Sequence, residues 1–194
     1  MNLYDYAKLI LTIQSQGLSK VRFAKTIYFV HKELSRLGYT SVNDLEYIRM
    51  PLGPVPDGYM TLEKDHGDIL CDENETGLSY NTINYRLKKR KIFLPSKQKN
   101  PLHKDVEALL KRLEGVPTSA LVELSHKEYS WLNHTNGERY YIHSKDMKNK
   151  FPTKVGRIEH ELQEQSLQAS LVRGMLEDIV SESTALEYPT DANQ

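Results

Sequence analysis

The chain has 194 residues, 39% apolar and 27% charged, with Lys plus Arg matching Asp plus Glu at 26 each. That length favours one domain with an extension, the composition excludes a disordered chain, and zero net charge removes any overall pull toward a polyanion. A single cysteine, Cys71, excludes an internal disulfide, no apolar run reaches membrane-spanning length, and MNLYDYAKLI lacks a signal-peptide layout, so the chain reads as soluble and cytoplasmic.

Leu3, Tyr6, Ala7, Ile10 and Leu11 recur at helical spacing and predict a short amphipathic helix ending near Gly17. Ser19 reads as the N-cap of a stronger helix, with Phe23, Ile27, Val30, Leu34 and Leu37 on one stripe and Gly38 as its stop. Lys25, Lys32 and Arg36 are expected to keep the opposite side of that helix wet. Leu45–Met50 predicts a short strand, after which MPLGPVPDGYM interrupts all periodicity. We expect this stretch to be a rigid strand-to-helix corner, with Pro54 or Pro56 starting the helix and Val55 and Tyr59 tucked into the core.

Ile69–Cys71 and Thr82–Phe93 predict two further strands around a DENETG turn, joining Leu45–Met50 in one small antiparallel sheet. Asn100-Pro101 opens a helix carrying Val106, Leu109, Leu110 and Leu113, and Thr118 opens another through Leu121 and Leu124. Ser125-His126-Lys127-Glu128 has the S-x-x-E form of a capping box, predicting one more turn or two at Tyr129, Trp131 and Leu132. Asn136-Gly137-Glu138 marks a turn before Tyr140–Ile142. Finally Val155, Ile158, Leu162, Gln165, Ala169, Val172, Leu176 and Ile179 alternate three and four apart, which predicts a long helix with a narrow apolar seam. The acidic tail 182–194 reads as disordered.

Motifs that carry chemistry are scarce. The chain has no dinucleotide fingerprint, P-loop, nucleophile elbow or calcium loop, and His160-Glu161-Leu162-Gln163-Glu164 lacks the second histidine of a zinc protease. Cys71 could serve as a nucleophile only with a remote base, and an inert thiol is the commoner reading. His126 and Trp131 could line a pocket, but Trp131 is expected to anchor its helix in the core while His126 makes a local hydrogen bond. The run Arg86-Leu87-Lys88-Lys89-Arg90-Lys91, beside Tyr85 and Phe93, suits phosphate contacts; it also suits a lysine-guarded edge strand or a docking patch for an acidic protein, which we favour.

Three segments in order carry a resemblance. Lys25 with Tyr28 on the second helix, Gly53-Pro54-Val55 followed by Tyr59, and Leu124-Ser125-His126 followed by Trp131 resemble the signature of the Panacea domain of SocA-like antitoxins, across about residues 4–142. Each piece is weakly specific alone, and the ordered set is more so. The resemblance implies a non-enzymatic bacterial or prophage antitoxin, without cofactor or metal, that neutralises a cognate protein toxin by direct binding. It offers no catalytic residues to carry over. The signature positions, Lys25, Tyr28, Gly53, Pro54, Val55, Tyr59, Ser125, His126 and Trp131, are expected to be mostly structural.

The resulting expectation is an α+β, predominantly α-helical protein: helices around a small antiparallel sheet, with a long C-terminal helix. Residues 1–150 would form the Panacea-like domain, 151–181 a helical extension and 182–194 the tail. The seam residues Ile158, Leu162, Ala169, Val172, Leu176 and Ile179, with Lys88, Lys89 and Arg90, are the candidate partner contacts, the seam serving either a toxin or a homodimer. A nucleic-acid-binding regulator and an adaptor delivering a bound client to a protease are the alternative readings; a membrane partner is not expected.

Overall fold

We describe a computed structural model of the chain, covering residues 1–75, 81–88 and 100–154. The seam from Ile158 to Ile179 and the tail 182–194 lie outside the described residues, as do Lys89 and Arg90. Residues Met1–Lys154 form one compact unit.

Its axis is a helix that is buried on every side. Helix α1 (Leu3–Ile13) is closed at its start by a reciprocal Asn2–Asp5 capping box and buries Tyr6, Ala7, Ile10 and Leu11, the predicted stripe. A two-residue strand β1 (Leu18–Ser19) leads into α2 (Lys20–Arg36), in which every residue from Phe23 to Leu34 is buried. The expected wet face is therefore absent at Lys25 and Lys32, which are 1% and 2% exposed. Only Arg36 of the three stands in solvent, paired with Glu33 at 2.6 Å. Leu37, placed on the buried stripe by spacing, is 45% exposed because the helix has already ended and Gly38 takes φ +81°.

The predicted single sheet is two. Strands β2 (Tyr47–Met50) and β3 (Gly53–Pro56) form a hairpin turned by Pro51 and Leu52, and β2 also pairs with β6 (Arg139–Tyr140), giving the order β3-β2-β6. Strands β4 (Ile69–Glu75) and β5 (Asn81–Leu87) pair antiparallel, but β4 runs on through Asp72–Glu75, which were expected in the turn, and the third member is β1, in the order β1-β5-β4. The reason lies in which chain segment reaches each edge: β5 runs past the α1–α2 junction, where Leu18 pairs with Tyr85.

The proline stretch is likewise a strand and not the start of a helix. In the register Met50↔Gly53, Arg49↔Pro54, Ile48↔Val55 and Tyr47↔Pro56, alternate residues turn their backbone groups to the same side. Pro54 and Pro56 thus present their missing N–H groups to the edge away from β2, where no strand among the described residues asks for them. A 3₁₀ turn (Tyr59–Thr61) and one turn of helix α3 (Leu62–Asp65) follow only after Gly58 at φ +78°.

Helix α4 (Pro101–Leu113) starts as predicted, with Asn100 accepting from the Leu102 N–H and Pro101 in the first turn, and it buries Val106, Leu109, Leu110 and Leu113. The Arg22 guanidinium donates to the carbonyls of Leu113 and Val116 at 2.9 and 2.6 Å, capping its far end from α2. Helices α5 (Thr118–His126) and α6 (Tyr129–Leu132) then cross toward the hairpin, and a 3₁₀ turn (Ser144–Lys148) places buried Asp146 beneath α6. Asp146 accepts from the Ser130 hydroxyl and from the N–H groups of Ser130 and His143 at 3.3 Å, so a buried carboxylate is satisfied locally. No helix among the described residues is long and apolar enough to cross a membrane.

Candidate partner-binding site

The three signature segments, far apart in sequence, meet at one place. Lys25 Nζ donates to the Pro54 carbonyl at 2.6 Å, in the slot the free edge of β3 leaves open. Burial lowers its ammonium from the usual lysine range to about 7. Gly53, at φ +92°, lies so close that a Cβ there would collide with Ser125 Oγ and come within 3.0 Å of Lys25 Cε and Nζ. The Ser125 hydroxyl is itself held, donating to the Val122 carbonyl at 2.7 Å. Lys25, Gly53-Pro54 and Ser125 therefore form one packed joint between α2, the hairpin and α5.

Ser125 does not open a new helix as the capping-box pattern predicts. It lies in the last turn of α5, and its hydroxyl is spent on that helix's own carbonyl. Glu128 occupies the N-cap of α6 but sends its carboxylate to Lys32 Nζ at 2.6 Å, because a buried ammonium two turns beyond Lys25 competes for it. Burial, the larger influence, raises the Glu128 carboxyl despite the Lys32 cation.

Trp131 is half-buried at the rim and does not anchor the core, contrary to expectation. Its indole N–H donates to the Met50 carbonyl at 3.1 Å, and the Arg49 guanidinium sits 3.8 Å from its ring centre. The His126 ring stacks on the same indole at 4.1 Å, and burial, then the nearby Lys25 cation, lowers the imidazole below its usual range. Together these contacts clamp α5 and α6 to the hairpin turn. Deeper down, Tyr28 packs edge-on against Tyr47 at 5.1 Å, and burial pushes its phenol well above the ordinary range. Tyr59 donates to the Lys20 carbonyl at 2.6 Å, which ties the segment after the hairpin to the start of α2. Tyr28 and Tyr59 are fully buried, whereas Val55, expected in the core with Tyr59, is only half-buried.

Beside this joint an open cleft of about 450 Å³ separates the start of α2 from the hairpin. Val21, Ala24, Val55 and Tyr59 form its walls, and the Lys25 side chain reaches it from below. Its lip carries Met50, Leu52 and Met60, which are 41%, 54% and 64% exposed. Three large apolar side chains thus stand in water around an apolar hollow, whereas the other exposed large apolar residues, Leu37, Tyr39, Leu132 and Tyr141, do not line it. Reading the sequence did not single out this lip, although apolar residues beside a proline- and glycine-rich turn are a usable signal.

The other candidates stand elsewhere. Lys88 is exposed at the end of β5, and its backbone N–H donates to the Asp68 carbonyl at 2.8 Å. Cys71 is half-buried on β4, and burial raises its thiol, which leaves it a poor nucleophile. Among the described residues no three His, Cys, Asp or Glu side chains gather as metal ligands would.

The model of the SocA-like antitoxins, Panacea domain, matches residues 23–132. The chain belongs to this family. The matched span of the Panacea domain begins inside α2 and ends at α6, enclosing the whole joint from Lys25 to Trp131, and is narrower than the 4–142 expected from the motifs. No curated protein and no solved structure gives a significant match to the chain. The joint thus lies in the Panacea domain itself, while α1 and β6 are supports outside the matched span.

Proposed function

We propose that this Panacea-domain protein is an antitoxin that neutralises a protein toxin by binding it directly, with the cleft between α2 and the β2–β3 hairpin as the domain's contact surface. Membership of the family supports the antitoxin role. The observation that carries the surface is the exposed triad Met50, Leu52 and Met60 around an apolar hollow, beside the joint of Lys25, Gly53-Pro54 and Ser125. Methionine suits such a lip because its flexible, polarisable side chain adapts to different partner shapes.

The reading is non-enzymatic: the antitoxin acts by occupying the toxin, without a cofactor or a metal. In it the seam Ile158, Leu162, Ala169, Val172, Leu176 and Ile179 adds a second contact that selects among toxins, or joins two copies of the chain. Co-expression with the protein of the adjacent open reading frame tests it. The expected result is that the neighbour arrests growth alone and that this chain restores growth and co-purifies with it. Arrest that this chain fails to relieve would overturn the reading.

A further inference from the structure

Lys25 and Lys32 are equally buried on α2, yet they differ in what faces them. Lys32 meets the Glu128 carboxylate at 2.6 Å and lies 5.3 Å from the Phe29 ring centre. Lys25 donates to one neutral carbonyl, and among the described residues no carboxylate pairs with it. An ammonium offers three donors, and a buried cation without a counter-ion is costly, so this one is under-satisfied where it stands. Its side chain also lines the open apolar cleft beside the joint.

Resting on the reading of this cleft as the toxin-contact surface, we propose that it takes an apolar polypeptide segment carrying a single glutamate or aspartate, whose carboxylate completes the coordination of Lys25. The Lys32–Glu128 pair shows within the same chain how a glutamate reaches an α2 lysine through apolar surroundings. Met50, Leu52 and Met60 grip the flanking apolar residues of the segment, and Lys25 reads its charge. The hollow, about 450 Å³, is of the size of a small ligand pocket. Because burial holds the free ammonium near 7, pairing with a carboxylate raises that value, and binding at pH 8 takes up a proton.

The test uses the full chain, methyl-labelled at methionine, and the blocked peptide acetyl-Ser-Leu-Glu-Leu-Ser-amide as the probe. The proposal expects saturable shifts of the Met50 and Met60 methyl signals, at least tenfold weaker binding when Gln replaces Glu in the peptide, and loss of that preference in Lys25→Met. Leu52→Asp, on the exposed lip, should weaken the Glu peptide most, which keeps the test valid if Lys25→Met fails to fold. Equal binding of the Glu and Gln peptides to the wild-type chain, or no methyl shift with either, would overturn it. So would a Gln peptide with a free terminal carboxylate that binds as well as the Glu peptide, since the anion would then be the chain end. None of these readouts needs the toxin, so growth rescue without Glu preference refutes this inference alone, and failed rescue with intact preference refutes only the antitoxin reading.

Discussion

The ammonium of Lys25 meets the carbonyl of Pro54 at 2.6 Å, so a side chain from the central helix supplies a donor on the side of β3 where no strand among the described residues pairs with it. The charge has a pH signature. Folding lowers the Lys25 ammonium to about 7 by burial, so between about pH 7 and the unfolded value near 10.4 the unfolded chain holds more protons. For this group stability therefore rises with pH across that window, by up to about 1.4 kcal/mol per unit, and levels off well below pH 7. His126, lowered by burial, is already neutral there, while the raised Cys71 thiol works in the opposite sense near pH 9. Urea denaturation of Cys71→Ala between pH 7 and 9 should show the rise, and Lys25→Met in that background should remove it.

Gly53→Ala tests the closeness of the joint. The new methyl group would meet Ser125 Oγ and Lys25 in a backbone conformation that side chains rarely adopt, so a loss of about 2–4 kcal/mol is expected. Adding Ser125→Gly relieves the collision but not the φ of +92°, and thermal melts should show partial recovery only.

The buried Lys32–Glu128 pair predicts a strong asymmetry. Glu128→Gln leaves an ammonium buried without its counter-ion and should cost about 3–5 kcal/mol. Lys32→Met combined with Glu128→Leu removes both charges and should return most of that loss in chemical denaturation. A double variant as unstable as the single one would mean that packing, and not charge, is what Glu128 contributes.

Element types along the chain were readable from spacing and caps: the α1 and α4 stripes and the Asn100-Pro101 start are where the pattern placed them. The family was also readable, from three short segments in order, and the matched span encloses all three. Sheet membership was not, since β1 is two residues long and β6 two more, too short for any period to show. Lys25 and Lys32 misled for a different reason. A charge on a helix predicts solvent only when no acceptor is brought to it from elsewhere, and Pro54 and Glu128 arrive from 29 and 96 residues away. The proline stretch misled because a helix first turn and an unpaired sheet edge tolerate proline on the same ground, the missing N–H.

For the seam, Leu162→Asp and Leu176→Asp should each abolish toxin binding or self-association, because a charge on an apolar contact costs on the order of several kcal/mol, enough to remove a micromolar interaction. Sedimentation equilibrium with and without the toxin separates the two roles. Normal folding, mass and binding in both variants would show that the seam is no interface.

The central claim, neutralisation by direct binding at the cleft, is tested most directly by calorimetric titration of the purified toxin into this chain and into Leu52→Asp/Met60→Asp. Both positions are exposed, so the variant should fold with an unchanged melting transition. We predict saturable binding to the wild-type chain and binding at least a hundredfold weaker to the variant. Equal affinity for the two would contradict the assignment of the cleft, and absence of binding to the wild-type chain would contradict neutralisation by direct contact.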